Sequence, residues 1–151
     1  MKTNKAKNVR NAKDALLEEQ KGLLEEIENR KIIYYGYRYD PENCPPMVRK
    51  IQAMSQDKQL SIIPVTERIE FLRLQLLAAS DRQSQVLAGI GEWAALGEPM
   101  RNLEIFNIAG NIRHLEDQKR YLEQQKKKCE EDFVRIPKRM EEIKTELGKI
   151  C

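Results

Sequence analysis

Residues 105–150 read IFNIAGNIRHLEDQKRYLEQQKKKCEEDFVRIPKRMEEIKTELGKI, and an apolar residue recurs along them at alternating steps of three and four. Placed on a heptad, the a positions are Ile105, Ile112, Lys119, Lys126, Phe133, Met140 and Leu147. The d positions are Ile108, Leu115, Leu122, Cys129, Ile136, Ile143 and Ile150. Only Lys119 and Lys126 break the apolar pattern, and a lysine in a seam costs stability while setting register or leaving a local gap. Such a ladder defines a long helix that must be faced by another helix, in the same chain or a second one. It sets the fold class as mainly α: an elongated helical bundle built on a coiled-coil hairpin.

The first facing helix lies just upstream. Thr66 is placed to cap a helix running to about Ala95, with Glu67 in its first turn. Its seam is Ile69, Leu72, Leu76, Ala79, Gln83, Val86, Ile90 and Trp93, again at steps of three and four. Around Phe71, Leu74 and Leu77 the apolar surface wraps nearly the whole circumference, which predicts cover by more than one neighbour. Gly97 and Pro99 then interrupt the helix, and Asn102 is placed to cap the next. So short a connection favours antiparallel packing, so residues 66–136 are read as a hairpin with arms of some 45 to 50 Å at roughly 1.5 Å per residue. Pro137 removes a backbone donor and predicts a kink or break near Ile136, with 137–151 as a C-terminal helical extension. The facing seam is only about 30 residues long, so the end of the ladder needs other cover. Met140, Ile143, Leu147 and Ile150 are therefore expected to dock on another subunit or protein.

Upstream of the hairpin, residues 14–65 hold an amphipathic helix, a Tyr-rich and Pro-rich segment, and a short helix starting at Pro46. The first helix carries Leu16, Leu23 and Ile27 on one face. Ile32, Ile33, Tyr34, Tyr35, Tyr37 and Tyr39 then favour extended structure, so the helix either runs on to Gly36 or gives way to a strand near Ile32. A strand over 31–39 could pair with 60–65 as a small two-stranded β patch. Tyr35, Tyr37, Arg38 and Tyr39 join apolar area to hydrogen-bonding tips and a cation, a mixture suited to a protein interface or to stacking on bases. The competing reading makes them the rim of the protein's own core.

At 151 residues the chain is read as a single helical domain. With 40% hydrophobic and 34% charged residues but only 7 Gly and 6 Pro, it suits long helices and not a compact α/β enzyme. The net charge of +3 conceals a basic N-terminal tail over residues 1–13, where Lys2, Lys5, Lys7, Arg10 and Lys13 give +5 and leave −2 elsewhere. These five are the candidate phosphate-contacting residues. A solubilising terminus is the plainer reading. Three cysteines, Cys44, Cys129 and Cys151, form no disulfide framework and point to a reducing, cytoplasmic setting. No signal peptide or membrane span is expected.

No motif carries enzyme chemistry. His114, the one histidine, falls on the outer flank of the ladder, away from any metal-ligand spacing. Gly89-Ile90-Gly91 lacks the Lys-Ser/Thr and the preceding strand of a phosphate loop, and is read as a flexible or closely packed patch. The paired glutamates lie among Lys and Arg on helix flanks. No catalytic residue, cofactor, metal or small-molecule substrate is expected. The leading expectation is a non-enzymatic structural or assembly protein that acts through helix packing and self-association within a larger complex. The alternative is a nucleic-acid-associated protein using the basic terminus and the Tyr/Arg segment. A layout of helices, short strands and long coiled-coil arms is also similar in outline to prefoldin-like chaperones, without a shared motif; that likeness implies a holding chaperone.

Overall fold

The computed structural model describes the backbone of residues 2–150 and the side chains of residues 6–150. Four α-helices occur in the order α1 (Lys2–Tyr35), α2 (Pro46–Met54), α3 (Val65–Ala88) and α4 (Glu98–Ile150), with a 3₁₀ turn at Gly91–Ala95 between the last two. The fold is mainly α and built by helix packing. The chain gathers into two compact units, one of Val65–Lys126 and the other of Met1–Pro64 with Lys127–Cys151.

The ladder on α4 behaves as its spacing requires. Ile108, Leu115, Leu122, Cys129, Ile136 and Ile143 are all buried, and Ile136 and Ile143 are 0% exposed. The a positions Ile105, Ile112, Lys119, Lys126, Phe133, Met140 and Leu147 are half-buried beside them. Pro137 sits inside the 53-residue helix without ending it, so of the kink or break expected near Ile136 the break does not occur. One backbone donor is lost there, but the apolar side chains before and after it stay on one face and their burial outweighs the missing bond.

In the unit Val65–Lys126, α3 and the first half of α4 run antiparallel. Arg82 meets Glu104 at 2.7 Å near the turn, while the Glu70 carboxylate feels the Lys119 charge farther along. Leu72 and Val86 are buried on α3, with Ile69, Leu76, Ala79 and Gln83 half-buried along the same stripe. The helix ends at Ala88 and not near Ala95, because Gly89 takes φ +64. Its N–H donates to the Val86 carbonyl and that of Ile90 to the Gln85 carbonyl, the pair of hydrogen bonds of a glycine C-cap. Gly91, at φ +66, opens the 3₁₀ turn. The two glycines are thus a helix stop. Two capping expectations also change: α3 starts at Val65, so Thr66 lies within its first turn. Likewise α4 starts at Glu98 after Gly97, whose carbonyl accepts from the Arg101 N–H at 3.0 Å, so Asn102 is inside the helix. Pro99 suits that first turn, where an N–H would have no partner.

In the other unit, α1 packs antiparallel against residues 127–150 of α4. Leu23, Ile136 and Ile143 form its buried centre, with Leu16, Ile27, Met140 and Leu147 packed around them. Of the basic tail expected over 1–13, residues 2–13 are instead the beginning of α1, and Met1 lies outside the described residues. At its other end α1 runs to Tyr35 and stops at Gly36, whose φ of +82 and N–H bond to the Ile32 carbonyl at 2.8 Å close the helix. Of the two readings of 31–39 the helix prevails. The β patch shrinks to one antiparallel bridge, Tyr37 with Ile62, made by two backbone bonds of 2.8 and 2.7 Å. Gly36 passes so close to this bridge that a Cβ on it would stand 2.6 Å from the Ile62 carbonyl oxygen. The short helix α2 starts at Pro46 as its proline predicts, and buries Val48 completely.

Candidate interaction surfaces

The contact between α1 and α4 is fixed by charge as well as by apolar burial. Asp132, at the g position beside the seam, is a buried carboxylate. It accepts from Arg30 Nε at 2.8 Å and from Arg135 Nη2 at 3.1 Å. The same Arg135 nitrogen reaches Glu26 at 2.9 Å, joining the two helices again. One turn farther on, Arg139 grips Glu19 with two parallel bonds of 2.7 and 3.0 Å and also donates to Glu142. Burial pushes the Asp132 carboxyl up, but the hydrogen bonds from Arg30 and Arg135 outweigh it and hold it below the ordinary aspartate value. The Arg139 guanidinium is held still more firmly in its charged form by the hydrogen bond to Glu19. Planar two-pronged pairs of this kind specify register more than they add stability.

The placement of the C-terminal ladder corrects one expectation. Ile143 is fully covered within the same chain, and Met140 and Leu147 pack partly against the same cluster with Leu16, Leu23 and Ile27, so Ile143 is not open to a second chain. The reason is the length of α1: its 34 residues supply the apolar stripe that the seam of α3 is too short to provide. Ile150 borders a cleft of about 450 Å³ with Ala12, Ala15 and Leu16.

The tyrosine segment divides. Tyr34 and Tyr35 pack on Phe133, edge-on at 5.3 Å and stacked at 5.9 Å between ring centres. Tyr34 also donates its hydroxyl to Glu130 at 3.0 Å. Tyr35 is 67% exposed despite its stack, so one face of the ring remains open. Tyr37 turns inward: its hydroxyl donates to the Asp40 carbonyl and accepts from the Asp40 N–H, both at 3.1 Å. Arg38 and Tyr39 are exposed, and the Tyr39 N–H donates to Ser61 Oγ at 3.0 Å. The segment therefore caps the end of α1 and leaves Tyr35, Arg38 and Tyr39 to solvent. Lys7, Arg10 and Lys13 are exposed on α1, and the side chains of Lys2 and Lys5 lie outside those described.

The largest surprise is on the hairpin. Phe71, Leu74 and Leu77, expected to be covered by more than one neighbour, are 62%, 52% and 55% exposed on the side of α3 away from its seam. Leu103 and Phe106 are open on α4, Phe106 to 76%. Circumferential apolarity was the signal for these residues, but a one-seam hairpin covers only one stripe of each helix.

Among the described residues no group of three or more His, Cys, Asp or Glu could hold a metal ion, and no helix is long and apolar enough to cross a membrane. Burial raises the Cys129 thiol above its ordinary value, so this seam cysteine is a packing residue of low reactivity. Comparison with known protein families, curated proteins and solved structures gives no match to this chain.

Proposed function

We propose that this is a non-enzymatic structural or assembly protein, acting in the cytoplasm, that works by packing its helical hairpin against further helices of the same protein or of a larger complex. One observation carries the reading: Phe71, Leu74 and Leu77 on α3 and Leu103 and Phe106 on α4 are open although the seam between the two helices is filled. A helix hides an apolar stripe only against another element, and exposed sets of large apolar residues mark contact surfaces in water-soluble proteins. The seam residues hold the hairpin together and leave its outer sides to a partner. The free thiols at Cys44 and Cys129 suit a reducing compartment.

Sedimentation equilibrium tests this directly. The chain is expected to sediment as a multiple of its single-chain mass, and Phe71→Glu with Leu74→Glu is expected to lower that mass while helix content stays within a few per cent. A monomer at the highest attainable concentration, with the same mass in the double variant, would refute self-association. Co-purification with a defined complex that the double variant fails to join would place the partner elsewhere and keep the surface.

A further inference from the structure

The charged side chains of α1 fall into two groups with opposite behaviour. Those that face α4 from Glu19 onward are engaged, Glu19 with Arg139 and Glu26 and Arg30 with Asp132 and Arg135, and Glu28 pairs with Lys31, while Lys21 and Glu25 stay exposed. At the other end, Lys7, Arg10 and Lys13 are exposed, and among the described residues none has an ion-pair partner. They stand at steps of three, so each is a neighbour of the next on the helix surface, and like charges so placed destabilise a helix by a few tenths of a kcal/mol per pair. No acidic residue occurs before Asp14, which stands one turn beyond Arg10 and adds a single negative charge at the end of the row. At 3.6 residues per turn the three cations occupy an arc of about 120°, and Asn8 and Asn11 adjoin that arc on one side. Both asparagines are exposed, and neither side chain has a hydrogen-bond partner among the described residues.

From this arrangement we infer that the side of α1 bearing Lys7, Arg10 and Lys13 is a nucleic-acid contact that lays the helix into the major groove of duplex DNA. The site is the flank of the helix, not the N–H groups at its end. Its chemistry separates three polyanions. An anionic lipid surface is held by a helix with large apolar anchors opposite its cations. Here only Val9, among residues 6–13, is a large apolar side chain. An acidic protein surface would use the cations but has no need of a row of amides beside them. A duplex uses both: cations neutralise phosphates, and an Asn amide pairs two-pronged with the edge of adenine. An α-helix, about 10–12 Å across, fits a major groove about 12 Å wide. This surface shares no residue with the open side of the hairpin, so it is tested independently of assembly.

Fluorescence anisotropy with the full chain and a labelled mixed-sequence duplex of about two helical turns tests the inference. Binding is expected to weaken between about 50 and 200 mM salt with a log–log slope near −0.9 per phosphate contacted. Replacing Lys7, Arg10 and Lys13 by Gln should weaken binding at least about tenfold and flatten that slope by about 3. The Asn8→Ala, Asn11→Ala variant should lose about tenfold on duplex while binding heparin, a polyanion without bases, as the parent does. All the changed side chains are exposed, and circular dichroism confirms that the helix persists. No binding at the lowest salt, or a salt slope unchanged by the Gln variant, overturns the inference. So does equal binding of the parent to poly-glutamate or to phosphatidylserine vesicles with no effect of the Asn variant, which would assign the cations to an acidic protein or a lipid surface.

Discussion

Ile143→Ala tests whether the end of the ladder belongs to the protein's own core. Ile143 is 0% exposed and touches the cluster of Leu23, Ile136, Leu16, Ile27, Met140 and Leu147. The substitution removes three carbons, worth about 2.4 kcal/mol at roughly 0.8 kcal/mol each. The void left behind adds up to about 2 kcal/mol at roughly 24 cal/mol per Å³ if the surroundings do not close on it. Alanine returns a few tenths of a kcal/mol through its better helix propensity. A net loss of about 2 to 4 kcal/mol is expected. Urea unfolding followed by circular dichroism, run at two protein concentrations, reads it as a lower midpoint with an unchanged slope. Val134→Ala, on the exposed side of the same helix, should cost less than about 0.5 kcal/mol. A loss below about 1 kcal/mol for Ile143→Ala would refute the reasoning. So would a midpoint that depends on concentration in the parent and ceases to in the variant, since a second chain would then supply the cover.

Three further outcomes follow from single positions. Gly36→Ala should cost more than about 2 kcal/mol of urea stability, since it forces an L side chain to φ +82 and sets its Cβ 2.6 Å from the Ile62 carbonyl; Gly22→Ala, with nothing within 4 Å, should instead add up to about 1 kcal/mol. Asp132 has its folded-state carboxyl lowered, so the stability it contributes is complete above the ordinary aspartate value of 3.8 and is lost as pH falls below that value through the folded one. Asp132→Asn should therefore cost about 1 to 2 kcal/mol at neutral pH, discounted because Arg135 is half exposed, and a thermal-unfolding series should show a smaller acid-induced loss below about pH 4 than in the parent. Pro137→Ala should add about 1 to 3 kcal/mol of stability, read as a higher urea midpoint at unchanged slope, as the helix already continues through an exposed residue there and regains a backbone bond; an unchanged midpoint would show that the proline is fully accommodated.

What could be read from the residues in advance is what helix period alone decides. Steps of three and four select one stripe of a helix whatever its partner, and so six of the seven d positions on α4 are buried. The two places where that reasoning failed are places where the pattern is silent. Period says which residues share a face, not how many neighbours a helix has. An apolar circumference at Phe71, Leu74 and Leu77 is compatible with burial or with an open contact surface, and only the neighbours distinguish them. The glycines at 89 and 91 likewise could be a close packing patch or a stop. Positive φ at both decides for the stop, and no side-chain pattern reports φ.

The pairing of α1 with the end of α4 was hidden for a different reason. Arg30 and Asp132 are 102 positions apart, and nothing in either local sequence names the other. By helix spacing alone, Glu26 four residues before Arg30 is a favourable ion-pair mate for it. In the structure that pair is loose at 3.9 Å, while Arg30 Nε turns to Asp132 at 2.8 Å. The preference follows from exposure. Asp132 is buried, so leaving it without a donor would carry the full desolvation cost of a carboxylate, whereas Glu26 keeps water around it. Arg30 therefore goes where its absence would cost most. The same logic bears on the two ends of α1: cations beside a buried acid are claimed by the fold, whereas Lys7, Arg10 and Lys13 are exposed and have no buried acid beside them among the described residues.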